Sequence, residues 1–253
     1  LWVSLVAGGL WRVPVHGMET GHWTAEPGIQ IDAEPGFYFT ASNRPSGRLA
    51  LVNPLAGEVK IIDSRIRRVL SRWPHAGASR AEFSPDGMQV VVNGTPSAKG
   101  HSAPATVYTS ATGAVVKVLG TEPGRVARWS PGGAWVLAGE GKMSVKLWQT
   151  GTWAPGPALP AGTQGWQYAV AFTADDRQLA MQTGDNFQLF DLASGTVSLR
   201  WVKPDDVGFL PDSGIDGDRR FWAVTLDGRL HVWDLTALRR ELAKIGLGPA
   251  PGP

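Results

Sequence analysis

The residues able to do chemistry are few and scattered. Cysteine is absent, which removes thiolate catalysis, disulfides and cysteine-ligated metals. The five histidines, His16, His22, His75, His101 and His231, show neither HxxxH nor HxH spacing. No local metal signature exists, although a fold could bring distant histidines together. Asp63, Asp86, Asp191 and Asp234 could suggest acid catalysis or cation binding. Each ends a short apolar run or sits in a turn, where a carboxylate commonly accepts backbone N–H groups. No GxSxG, no P-loop and no GxGxxG ahead of a helix occurs. The expectation is therefore no catalytic residue, no metal ligand and no cofactor.

Two groups could bind rather than catalyse. Of the twelve tryptophans, Trp129, Trp148 and Trp233 recur inside apolar runs and read as packing residues. Trp73, Trp153 and Trp166 lie nearer strand ends and loops and are candidate partner anchors. Arg65, Arg67 and Arg68, with Arg72, form a basic cluster in SRIRRVLSRW. Alternation puts Ile66 and Arg68 on one side and Arg65 and Arg67 on the other, as in an outer strand whose charges block edge pairing. The sharper reading is a patch for phosphate or an acidic partner.

Composition sets the class of fold that holds these residues. The chain has 253 residues, 43% hydrophobic and 18% charged, with 32 Gly and 19 Pro. That fits a globular protein with many turns between short strands. A net charge of +2 exerts no strong pull on nucleic acid or an anionic membrane. The run LWVSLVAGGLW at Leu1–Trp11 is too short to span a bilayer, which needs about 20 apolar residues. It reads as buried strands or as the end of an upstream anchor, since the chain opens on Leu1 like a piece of something longer. The compartment is undecided, with the cytoplasm slightly favoured.

One string recurs: an aromatic, a small residue, a Pro/Asp/Gly turn, then an apolar run. It stands at Phe83-Ser84-Pro85-Asp86-Gly87, at Trp129-Ser130-Pro131-Gly132-Gly133, at Phe172-Thr173-Ala174-Asp175-Asp176, and loosened at Phe209-Leu210-Pro211-Asp212. An eroded copy covers Ser42 to Gly47. The spacing of roughly 37 to 46 residues is close to the ~40–45 of propeller repeats. A second string follows each copy, clearest at Arg229-Leu230-His231-Val232-Trp233-Asp234. Small turns such as Thr112-Gly113, Thr150-Gly151 and Ser194-Gly195 come after several of them. Each unit thus predicts a four-stranded sheet too apolar to leave either face wet, and stacking such sheets radially buries both.

The turn, the Trp-Asp ending and the period resemble the Trp-Asp repeat family over about residues 36 to 235. The run from Leu238 to Leu247, LRRELAKIGL, is similar to the C-terminal end of large bacterial repeat proteins, often fused behind a Ser/Thr protein kinase or a membrane segment. The family's Gly-His pair is missing before most inner strands. His75 holds the corresponding place once, preceded by Pro74. The resemblance implies an all-β propeller of about six four-stranded blades, or a fragment of a seven-bladed ring. Residues 1–235 would form one domain with a partial first blade, 236–247 a docking helix capped by Thr236, and 248–253 a flexible tail. The function implied is a non-enzymatic interaction platform, monomeric, taking a protein or peptide partner. The alternative is a propeller enzyme, lactonase-like or quinone-dependent, with a site in the central channel.

Because helical periodicity is confined to the C-terminus, far-UV circular dichroism of the purified chain should show little helix. A helix fraction above about a fifth, against a general average near a third, would contradict the all-β reading.

Overall fold

The computed structural model describes residues 2–5, 9–16, 24–94, 102–124, 126–141, 144–159, 169–184, 186–202, 209–216 and 219–245. The chain divides into two compact units, residues 1–127 and 128–253.

In the first unit, β1 (Trp2–Leu5), β2 (Gly9–Arg12) and β5 (Ile29–Asp32) form an antiparallel sheet in the order β1-β2-β5. The small hairpin of β3 (Val15–His16) and β4 (Thr24–Ala25) interrupts it between β2 and β5. Two four-stranded meanders follow. One is β6 (Tyr38–Asn43), β7 (Arg48–Asn53), β8 (Glu58–Asp63) and β9 (Arg68–Pro74). The other is β10 (Ala78–Phe83), β11 (Gln89–Gly94), β12 (Thr106–Thr109) and β13 (Val115–Val118). The second unit starts inside β14 (Ala127–Trp129), which pairs in the order β14-β15-β16 with β15 (Trp135–Glu140) and β16 (Ser144–Gln149). Next come the meander of β17 (Val170–Phe172), β18 (Gln178–Thr183), β19 (Asn186–Asp191) and β20 (Thr196–Val202), and the sheet of β21 (Phe209–Asp216), β22 (Arg220–Thr225) and β23 (Leu230–Asp234). Helix α1 (Leu235–Lys244) is the only helix among the described residues.

Side-chain chemistry explains the order within each meander. Second strands such as β7 and β11 run Leu-Ala-Leu-Val and Val-Val-Val, and these residues are buried on both faces. Outer strands β9 and β20 alternate buried and exposed positions towards their ends, as half-covered strands do. The two-sided burial forces neighbouring sheets together. Val59, Ile61 and Trp73 of one sheet share a core with Phe83, Val90 and Tyr108 of the next. In the second unit Phe187 and Trp201 stack at 5.6 Å and join Phe221 of the following sheet.

The structure corrects several sequence expectations. Ile29–Asp32 pairs with β2 and completes the first sheet. Three sheets carry three strands among the described residues. In the β14-β15-β16 sheet the fourth position is held only by a bridge between Trp148 and Pro155, since proline cannot continue a ladder. Phe209 to Asp212 does not form a turn; it lies within β21. The tight Thr-x-Asp-Gly turn falls one hairpin later, at Thr225–Gly228, where the Arg229 amide donates to Thr225 Oγ1 at 3.0 Å. Helix α1 begins at Leu235, not Thr236, because the Asp234 carboxylate accepts from the Ala237 amide at 2.8 Å and acts as N-cap. Leu235, Leu238 and Leu242 pack on the last sheet, whereas Ile245 is 68% exposed. Gly246 and residues 248–253 lie outside the described residues.

The inner hairpin turns share one device. Ser84 Oγ receives the Gln89 amide at 2.9 Å, Asp86 receives Met88, and Gly87 adopts φ 71°. At the next such turn the aspartate is missing and Gly132 stands in its place. Asp176, from the following sheet's turn, supplies the carboxylate instead. It accepts from Gly132 and Ala134 amides at 2.8 and 3.0 Å and from Ser130 Oγ at 2.7 Å. Asp176 does so from φ 58°, the position that Gly87 and Gly133 hold in their own turns.

A Cβ at Gly132 would lie 2.7 Å from Asp176 Oδ2. Restoring the repeat's own aspartate with Gly132→Asp should therefore destabilise rather than stabilise, by about 1–3 kcal/mol, from a displaced and repelled carboxylate. Asp176→Gly should cost a similar amount, and the double variant should recover most of it. Urea denaturation of the four proteins checks this, and additive losses would show that the two sites are uncoupled.

Candidate functional site: an arginine-lined cleft

Two turns of the β6–β9 sheet lie at one end of it, and the chain stitches them together. In the β6–β7 turn the Asn43 side-chain carbonyl accepts from the Ser46 amide at 3.0 Å, and Gly47 closes the turn at φ 72°. In the β8–β9 turn Asp63 accepts from the Arg65 and Ile66 amides at 2.8 and 3.3 Å. The Gly47 carbonyl then takes both the amide and the hydroxyl of Ser64, at 2.9 and 2.8 Å. Together with Trp2, Arg12, Val13 and Pro14 of the first sheet, these turns enclose a cleft of about 380 Å³.

Four arginines line it: Arg12, Arg44, Arg48 and Arg65. No carboxylate and no histidine is among the described residues that line it. Two of the guanidinium groups are held by neutral acceptors. Arg65 crosses Gly47 and donates to the Pro45 carbonyl at 2.8 Å; a Cβ on Gly47 would come within 2.7 Å of its Nε. Arg48 donates to the Gly87 carbonyl at 3.0 Å and to Ser110 Oγ at 2.6 Å. Among the described residues none of the four forms an ion pair, so their charge is oriented but not cancelled.

The contrast lies in the same unit. Lys60, on β8, is completely buried, with Nζ 2.5 Å from Asp32 and 2.9 Å from Glu34, over the Phe37 ring at 3.9 Å. Arg72 pairs with Glu34 at 3.0 Å and Glu58 at 2.5 Å. The Lys60 hydrogen bond, opposed in part by burial, holds the Glu34 carboxyl below its usual range. The bond to Glu58 raises Arg72. Both cations are thus paired with carboxylates of the same unit.

The sequence candidates separate clearly. Arg65 lines the cleft, while Arg67 and Arg68 are exposed beside it. Arg65 and Arg67 do not alternate along a strand as expected; they sit in the turn, and the outer strand starts at Arg68, because Asp63 captures the following amides. Arg67 has φ 53° and Trp153 φ 57°, left-handed positions that glycine takes in the matching turns at Gly113 and Gly195. Non-glycine residues held there are strained, a feature that concentrates at functional sites. Trp153 packs edge-on against Trp129 at 6.3 Å and is half-buried. Trp73 is 6% exposed, its ring 5.1 Å from Tyr108, so it offers a partner no face. Trp166, His22 and His101 lie outside the described residues. Asp63, Asp86, Asp191 and Asp234 all accept backbone amides. Arg12 ends β2, whereas Arg44 and Arg48 flank the β6–β7 turn, so all three lie apart in sequence from the cluster at Arg65. The signal that could find them is the rule that the first and third turns of a four-stranded meander share one end.

His75 is buried, its Nδ1 2.9 Å from the Tyr108 hydroxyl. His16 meets Glu26 at 2.9 Å on the surface, and His231 stacks on Trp233. Among the described residues no three His, Asp or Glu side chains come together as a metal site, and no helix is long and apolar enough to cross a membrane.

Comparison with solved structures establishes the class. A chain in the crystal structure of the mitotic checkpoint complex matches 92% of this chain and 70% of its own length at 15% identity, with a TM-score of 0.67. Hsv2 from Kluyvelomyces marxianus matches 90% of this chain and 70% of its own length at 13% identity, with a TM-score of 0.64. With the antiparallel sheets described above, these place the chain among the all-β propellers. No family profile matches the sequence. No curated protein matches it either.

Burial lowers the His75 pKa to about 4. The unfolded chain, with histidine near 6.5, then binds the extra proton first, so folding stability falls as pH drops from about 6.5 to about 4. A His75→Gln variant should lack that part of the slope. Equal slopes for both proteins in denaturation curves across this window would show that His75 does not contribute.

Proposed function

We propose that this chain is a non-enzymatic interaction platform that docks an acidic segment of a partner protein on the arginine-lined cleft. The observation that carries this reading is the charge of Arg12, Arg44, Arg48 and Arg65, which form no ion pair among the described residues, beside Trp2, in a unit whose buried Lys60 is paired with two carboxylates. Arg12, Arg44 and Arg65 are exposed and Arg48 is half-buried, so the group is open to an arriving anion, and arginine suits bidentate capture of one. The strained Arg67 and the exposed Arg68 and Ile66 extend the surface beyond the cleft. That one structural neighbour belongs to a protein complex is compatible with a scaffold role for the propeller. The chain acts as a monomer, within a longer protein of the kinase-fused bacterial repeat kind that its C-terminal run resembles.

The test is binding of a fluorescein-labelled glutamate-rich peptide, followed by anisotropy. Affinity should fall steeply with salt, and Arg44→Ala or Arg65→Ala should each weaken it roughly tenfold. Arg177→Ala, which removes an exposed arginine paired with Asp175 in the other unit, should change nothing. Binding that is indifferent to the two cleft substitutions would move the platform's surface elsewhere.

A further inference from the structure

The cleft is more selective than an acidic surface needs to be. Its volume of about 380 Å³ has room for one side chain with its charged head, while the rest of a docked segment would lie outside it. Four arginines line that space, whereas a glutamate brings a single negative charge. Arg48 and Arg65 each commit only one terminal nitrogen to a neutral acceptor, leaving other N–H groups for a ligand. Arg65 is anchored across Gly47, so its fork is oriented before any ligand binds. Asp63, the carboxylate of the same turn, is turned to the Arg65 and Ile66 amides. Preorganised guanidinium groups in excess over one charge match a group with two charges and three acceptor oxygens.

We infer that the cleft of Arg12, Arg44, Arg48 and Arg65 is a receptor for the phosphomonoester dianion of a phosphorylated side chain on a partner protein. This rests on the docking reading and adds that docking is controlled by phosphorylation of the partner. Trp2, Val13 and Pro14 form the non-arginine wall of the cleft and would pack on the methylene stem and neighbouring residues of the peptide. A chain segment entering between the first and second sheets meets apolar and basic surface together. A free inorganic anion would use only the latter.

The experiment compares three short fluorescein-labelled peptides, identical except for serine, glutamate or phosphoserine at the centre, against the full chain. Phosphoserine should bind at least tenfold more tightly than either of the others. Its affinity should drop severalfold as pH falls through about 6, where the second phosphate proton returns, while the glutamate peptide stays flat there. Arg65→Ala and Arg44→Ala should abolish the phosphoserine preference, and Arg65→Lys, which keeps charge but loses the fork, should restore only part of it. Thermal melts confirm that these surface variants remain folded. Equal binding of glutamate and phosphoserine peptides, both lost on substitution, would overturn the phosphate inference and leave the platform reading standing. Failure of all three peptides to bind would overturn both. Inorganic phosphate competing as well as the phosphopeptide, or retention on phosphatidylserine or phosphoinositide vesicles with the same arginine dependence but no peptide binding, would reassign the site to a free anion or a membrane.

Discussion

A sheet whose second strand is apolar on both faces cannot be left half in water. Leu49 and Leu51 on one face of β7, and Ala50 and Val52 on the other, are all buried, and so are Val90, Val91 and Val92 of β11. At about 25 cal/mol per Å² of apolar surface removed from water, this two-sided burial contributes more to the stability of the fold than any other interaction. It has one architectural consequence: each sheet needs a neighbour on either side. The core that joins Trp73 to Phe83 and Tyr108, and the one that joins Trp201 to Phe221, are the visible result. Helix α1 meets the same need at the last sheet, covering with Leu235 and its neighbours what a further strand covers elsewhere.

With faces committed to packing, variation is left to the turns. The inner hairpins keep a hydroxyl and a carboxylate that satisfy amides a strand cannot reach, and the repeat tolerates losing one when a neighbour supplies it, as Asp176 does for Gly132. The outer hairpins keep a left-handed residue. Glycine fills it at Gly113 and Gly195, whereas Arg67 and Trp153 stand there at a conformational cost. Turns are exposed, adjacent and free of core duties, so they are where this scaffold can carry a binding surface.

Charge follows the same division. Where a cation is needed inside, as at Lys60, carboxylates from the segment before β6 surround it and Phe37 closes over it, so the site is electrically finished. Such a buried group demands every partner it has, because an unpaired charge in a low-dielectric interior is costly. At the turn end, Arg48 and Arg65 donate to carbonyls and a hydroxyl, and among the described residues neither meets a carboxylate. Neutral acceptors orient a guanidinium group without discharging it, unlike the carboxylates around Lys60.

The strand-and-turn repeat, the all-β class and the turn role of Asp63, Asp86, Asp191 and Asp234 were legible in the amino-acid sequence. All of these depend on contacts within a few residues and on period-two burial, which are local properties. Arg65, Arg67 and Arg68 were legible too, because they are adjacent in the chain. Tertiary packing was needed to make Trp73 a core residue, to bury Lys60 against Asp32 and Glu34, and to lend Asp176 to another sheet's turn. Packing also brought Arg12, Arg44 and Arg48 to Arg65. Those facts depend on which strand ends meet, and sheet register and stacking set that across tens of residues, where no spacing rule in one sequence reaches.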